Sequence, residues 1–148
     1  MNTTLIVPTG FRSKFYVLLS TTQTISPTTW TVLNFDDIQY DGENEFDAIT
    51  NHRFVAKRNG YYSISAGVAF SLWEADKRCK LDIQLNGIVY GREHKILANV
   101  AEVPIVIHRN IHLNKNDYLD IQVYHFCTAS KIAMFQSYST YFSGFRYA

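Results

Sequence analysis

The feature that most constrains this chain is a hydrophobic period of two. At Tyr62, Ile64, Ala66, Val68 and Phe70 every second residue is apolar, while Ser63, Ser65 and Gly67 between them are small or polar. Successive side chains of an extended strand leave opposite faces, so this is the pattern of a strand with one buried face. The pattern recurs. Leu81, Ile83 and Leu85 alternate with Asp82 and Gln84, and the run continues past Asn86-Gly87 into Ile88, Val89 and Tyr90. Ile105, Ile107, Ile111 and Leu113 share one parity, interrupted by Arg109, and Leu119, Ile121 and Val123 alternate with Asp120 and Gln122. The chain closes on an aromatic run over 140–147, and further strands are expected at 14–20, 29–35 and 53–56. Ten Tyr and ten Phe in 148 residues suit a pleated, half-buried surface. No stretch of ten or more residues carries a helical stripe.

Asp41-Gly42, Asn59-Gly60 and Asn86-Gly87 supply turn chemistry, and Lys115-Asn116-Asp117 links two strong strands. Eight to ten short strands with one apolar face each imply an all-β chain, a two-sheet antiparallel sandwich or jelly roll. The length fits one domain. Residues 1–12, with Pro8 and Gly10, read as an N-terminal arm and 13–148 as the domain. A net charge of +1 argues against a nucleic-acid groove, and no apolar run is long enough to insert in a membrane. Cys79 and Cys127 have neither Cys-x-x-Cys nor zinc spacing and read as free, partly buried thiols.

Three segments carry a family resemblance. Phe54, then Gly60, Tyr62 and the alternation to Phe70 resemble the central signature of C1q globular heads and tumour-necrosis-factor-like jelly rolls, although Ile64 stands where an aromatic is common. Leu113-Asn114-Lys115-Asn116-Asp117-Tyr118-Leu119 is similar to that family's strand–turn–strand element, with Asn116 in place of the usual glycine. Asn tolerates positive φ next best, so the turn survives. Tyr141-Phe142-Ser143-Gly144-Phe145 is similar to the family's closing strand, which lies in the centre of a sheet. The likeness spans residues 30–147. It implies a C1q/TNF-like homotrimer, with its threefold axis along the jelly rolls, that binds and displays without catalysis.

The residues give a separate reason to expect association. If Leu119, Ile121 and Val123 enter the core, Tyr118, Tyr124 and Phe126 face outward, and Tyr141 and Phe145 share one parity of the last strand. One sandwich does not hide apolar groups on both faces of a strand, so the surplus rings mark a subunit interface. Small outward residues would let a neighbour approach. The expected trimer interface is therefore Ser63, Ser65, Gly67, Tyr118, Tyr124, Phe126, Tyr141 and Phe145. The alternative is a scatter of exposed rings, which is ordinary.

No residue pattern supports catalysis: there is no nucleophile elbow, no phosphate-cradling glycine loop and no His–Cys pairing. His108 and His112 share a strand face and read as surface or interface histidines rather than metal ligands. The acidic residues Asp36, Asp37, Asp41, Glu43, Glu45 and Asp47 read as a solvated loop, with calcium as the alternative. No cofactor or metal is expected. Recognition is placed on three loops, over 71–80, 90–102 and 127–136, through Trp73, Glu74, Lys77, Arg78, Arg92, His94 and Lys131. Trp73 beside charged groups suits a sugar or protein epitope. Its other reading is a lid over the end of the sandwich.

With no export grammar, collagen-like stalk or anchor in these residues, the expected setting is a virion, assembled from chains made in the host cytoplasm. The chain would serve as a fibre tip, receptor-binding head or capsid decoration. Its arm would meet other virion proteins, and its loops a host-surface glycan or protein. The alternative is a bacterial surface or extracellular C1q-like adhesion or lectin trimer.

Overall fold

The computed structural model describes residues 12–98, 103–135 and 139–148; the expected arm lies outside them except for Arg12. Every regular element among the described residues is a strand: β1 (Lys14–Leu18), β2 (Gln23–Ile25), β3 (Thr31–Val32), β4 (Asp37–Asp41), β5 (Phe46–Asp47), β6 (Arg53–Val55), β7 (Gly60–Ser71), β8 (Lys77–Leu85), β9 (Ile88–Leu97), β10 (Val103–Leu113), β11 (Tyr118–His125), β12 (Lys131–Ala133) and β13 (Tyr141–Arg146). They form two antiparallel sheets. The first runs β2-β12-β7-β13-β1-β4, with β10 on the far edge of β7. The second runs β5-β6-β11-β8-β9, with β3 beside β11 beyond the end of β6.

The alternation read from the sequence sets the layers. Tyr62, Ile64, Ala66, Val68 and Phe70 of β7 are buried against Leu81 and Ile83 of β8 and Leu119, Ile121 and Val123 of β11. An aromatic cluster fills one end: Phe15 stacks on Phe54 at 4.5 Å and meets Phe142 edge-on at 4.9 Å. The closing strand β13 sits between β7 and β1, as the family likeness implies. It fits there because Gly144 is bare. A Cβ at that position would lie 2.6 Å from Ile64 Cδ1 and 2.9 Å from both Phe15 Cε1 and the Ser63 carbonyl. At the Asn86-Gly87 turn both residues take positive φ, which joins β8 to β9 tightly. Asn116 adopts a φ of 76°, the conformation its place in the turn demands.

Several loops expected from the sequence contain strands. The acidic stretch holds β4 and β5, and its carboxylates bond within the chain. Asp41 accepts from the amides of Glu45 and Phe46, Asp47 from those of Ile49, Thr50 and Asn51, Glu45 from that of Lys57, and Asp36 from Ser20. Glu43 pairs with Arg58. Arg92 and His94 lie within β9, not in a loop, and Lys131 opens β12. The strand expected over 29–35 shrinks to β3, because Leu33 and Phe35 turn into the core as the chain leaves the sheet.

Candidate functional site

A sandwich has two outer faces, and the residues expected at one interface divide between them. On the first sheet the cross-strand register builds rows. Tyr40, Tyr16, Ser143, Ser65 and His108 lie side by side; Lys14, Phe145, Ser63 and Asn110 form the next row; Leu18, Tyr141, Gly67 and Val106 form a third. The charged side chains of these rows are Lys14 and, opposite Leu18 on β4, Asp37. Rings dominate the face. Tyr16 lies 5.9 Å from Tyr40 and 6.3 Å from Tyr141, and Tyr61 lies 4.9 Å from His112 and 6.4 Å from Tyr147. Tyr40, Tyr61 and Phe145 stay half exposed, as does Val106.

The small residues on this face have a local use. A Cβ on Gly67 would stand 2.8 Å from the ring of Tyr141, and Ser65 Oγ lies 3.0 Å from the Tyr141 hydroxyl. Ser63 Oγ lies 2.9 Å from His108 Nε2. Gly67 is therefore buried beneath its own chain's tyrosine and offers no surface to a neighbour, which corrects the expected role of that glycine.

Tyr118, Tyr124 and Phe126 do face outward, but from the second sheet. The Arg53 guanidinium covers Tyr118 at 3.9 Å, and the Lys80 ammonium lies 5.5 Å from the Tyr124 ring and 5.3 Å from that of Phe126. A closed threefold ring needs contact patches on two adjoining sides of each subunit, inclined to one another. Patches on opposite faces stack without closing, so these three rings do not join Ser63, Ser65, Tyr141 and Phe145 in one such interface.

The third group lies at the end of the sandwich. Trp73 is 2% exposed, packed on Phe70 at 4.9 Å and on His125 at 5.7 Å, and its Nε1 donates to the Lys77 carbonyl at 3.2 Å. It is a lid over the core, not a recognition platform. Glu74 accepts from the Thr128 amide and hydroxyl and from the Ala129 amide, and pairs with Lys131 at 3.3 Å. The Thr128 amide and hydroxyl first, with help from Ala129 and Lys131, hold the Glu74 carboxyl down at about 2. Lys131 is itself largely buried and also donates to the Leu72 carbonyl. Glu74 and Lys131 thus tie two loops together instead of awaiting a partner.

His125 belongs to the same end. The Cys127 amide donates to its Nδ1, so the ring proton sits on Nε2, which donates to the Ile25 carbonyl at 2.8 Å. Burial lowers its pKa. Both cysteines are free and buried, and desolvation pushes Cys79 up to about 12 and raises Cys127, so neither is poised as a nucleophile. Among the described residues no three His, Cys, Asp or Glu side chains converge to hold a metal. Of the residues expected to recognise a ligand, Lys77, Arg78, Arg92 and His94 reach solvent, the last three on or beside the outer face of the second sheet. Trp30, on that same face, was not singled out by sequence reasoning; its place opposite Tyr124 depends on the pairing of β3 with β11.

No protein-family model matches the chain, and no curated protein matches it in sequence. Solved structures do match. The globular domain of zebrafish complement 1qA protein superposes with a TM-score of 0.65 at 17% identity, over 92% of this chain and 98% of that one. Murine APRIL gives 0.70 at 11% identity, over 91% and 98%. Eiger TNF from S. frugiperda gives 0.65 at 11% identity, over 94% of both. Strand order, the central closing strand and these superpositions agree: the chain has the C1q/TNF-like jelly-roll fold.

Proposed function

We propose that this chain is a non-enzymatic homotrimeric binding module that associates through the outer face of its first sheet. The observation that carries the reading is the set of half-exposed rings across that face, Tyr40, Tyr61 and Phe145, in rows whose charged side chains, Lys14 and Asp37, stand on β1 and the edge strand β4. Depletion of charge around aromatic residues is the signature of an interface centre. The fold supports it, because C1q/TNF-like domains are expected to act as trimers that bind. Sedimentation equilibrium at micromolar concentration tests the reading. A mass of three 17.1 kDa chains is expected. Phe145 is 51% exposed. Half of a ring's area of about 200 Å² is about 100 Å², or about 2.5 kcal/mol for each copy buried. Phe145→Ser and Tyr61→Ser should therefore release folded monomers. A wild-type monomer, or a trimer indifferent to both changes, refutes the assembly. For setting, we propose a virion surface, at a fibre tip, receptor-binding head or capsid, with a bacterial or extracellular surface trimer as the alternative. Mass spectrometry of purified particles should recover the chain, and its absence from them refutes the virion setting.

A further inference from the structure

The outer face of the second sheet carries a feature that self-association does not use. Asp82 is fully buried, yet it stands on the outward parity of β8, where Arg92 of β9 covers it. The pair is bidentate: Arg92 Nε to Asp82 Oδ1 at 2.7 Å and Nη2 to Oδ2 at 2.8 Å, with Gln84 Nε2 adding a contact at 3.2 Å. Arg92 Cζ also lies 4.8 Å from the centroid of the Trp30 ring. The guanidinium is thus locked on one edge and one face, while a third of its side chain remains open to solvent. A planar fork held this way loses little freedom on meeting an anion.

Around it lies an aromatic floor. Trp30, 36% exposed, sits 5.2 Å from Tyr124, which sits 5.0 Å from Phe126, itself 39% exposed. The rings are tilted by 44° and 66°, forming a shallow bed rather than a flat stack. Cations border it. Lys80 stands over Tyr124 and Phe126, with His94 opposite on β9. Beyond Phe126, an open groove of about 380 Å³ is lined by Asp76, Lys77, Arg78 and Ile96, within the range of small-molecule sites. Among the described residues neither Lys77 nor Arg78 has an ion-pair partner. Gln122, registered between Asp82 and Val32, adds an amide for hydroxyl groups.

We propose that this band binds an acidic sugar, of the hexuronic or sialic class, with its ring laid on Trp30 and Tyr124 and its carboxylate held by Arg92 and Lys80. The apolar C–H face of a pyranose suits an aromatic bed, and a carboxylate suits a fixed guanidinium beside an ammonium. A single-stranded nucleic acid would also stack on rings, but it needs a basic track along many phosphates, and here Asp76 and the half-buried Asp120 interrupt the face. The site rests on reading the chain as a binding module, and it leaves the first sheet free for association.

The test is titration of the full-length protein with methyl glucuronide and the methyl glycoside of N-acetylneuraminic acid, against methyl glucoside, followed by saturation-transfer NMR. At least one acidic glycoside should bind about tenfold or more tightly than the neutral one, and added salt should weaken it. Trp30→Ala should lose about tenfold in affinity, and Lys80→Ala several-fold with a shallower salt dependence. Both leave the Asp82–Arg92 pair in place, and far-UV circular dichroism checks that each variant folds. Arg92→Lys, which keeps the charge but loses the fork, should weaken binding as well. Equal binding of the neutral glycoside, indifference to Trp30→Ala and Lys80→Ala, or preference for a single-stranded oligonucleotide overturns the proposal. Sedimentation of the same samples separates the two readings. A trimer that ignores acidic sugars refutes this site alone, and a monomer that binds them refutes the trimer alone.

Discussion

Replacing Trp73 by alanine separates a lid from a ligand platform. The indole is 2% exposed and contacts Phe70 and His125, and its Nε1 donates to the Lys77 carbonyl. Removing a buried Trp side chain costs about 3–5 kcal/mol through lost transfer energy and the cavity left behind. That is a large share of the ~5–15 kcal/mol that holds a domain together. Trp73→Phe keeps a ring against Phe70 and forfeits the hydrogen bond, for about 1–2 kcal/mol. Urea denaturation followed by far-UV circular dichroism reads both changes. With a slope of about 2 kcal/mol per molar, the midpoint should fall by about 1.5–2.5 M for alanine and under 1 M for phenylalanine. A Trp73→Ala protein within about 1 kcal/mol of wild type would mean that the indole supports no core, and the lid assignment would fail.

The loop end should also weaken with acid, in two windows. His125 has a lowered folded pKa, so the unfolded chain binds its proton first. Stability is full above about 6.5 and falls as pH drops below it, by at most about 1.4 kcal/mol per pH unit, and His125→Gln should flatten that limb of a midpoint-against-pH series. Glu74 is depressed from 4.5 to about 2, so its contribution is complete above 4.5 and disappears as pH falls toward 2; Glu74→Gln should remove this second limb and leave the first. In the core, Gly144→Ala should cost about 1–3 kcal/mol by overpacking against Ile64 and Phe15. Combining it with Ile64→Val removes the nearest clashing atom, so the pair should cost less than the sum of the single changes in a thermal-denaturation cycle.

What the sequence disclosed follows from what alternation encodes. Long strands with a period of two, β7, β8, β11 and, broken at Arg109, β10, were legible together with their buried residues, because burial on one face is a local property of spacing. The short strands β2, β4, β5 and β12 were not. Two to five residues such as Asp37–Asp41 carry no usable period, and they become strands only because β1, β6, β7 or β12 offers an edge. Trp73 shows the same limit: an aromatic among charges reads equally as lid or platform until Phe70 and His125 are seen beneath it. The interface reading meets a related limit. Parity says that Tyr124 and Phe145 both leave the core, but it does not say through which of two sheets they leave.

The Arg92–Asp82 pair lies beyond parity altogether. A regular hairpin closed at Asn86-Gly87 pairs Leu85 with Ile88 and Gln84 with Val89, and continued without change it would set Asp82 opposite Gly91. The register instead slips between Ile83 and Gln84, so that Ile83 meets Gly91 and Asp82 meets Arg92. One extra residue in β9, Tyr90, makes the difference, and its hydroxyl is anchored on the Asn110 carbonyl of the neighbouring β10. A bulge of this kind re-aims every later side chain on its strand. Without it, Arg92 would turn toward the other face, where Gly91 now packs beside Arg109, and Asp82 would lose its guanidinium partner. The long-range contact at Tyr90 therefore sets which residue of β9 reaches the second outer face, and with it whether that face holds a fixed guanidinium beside Trp30.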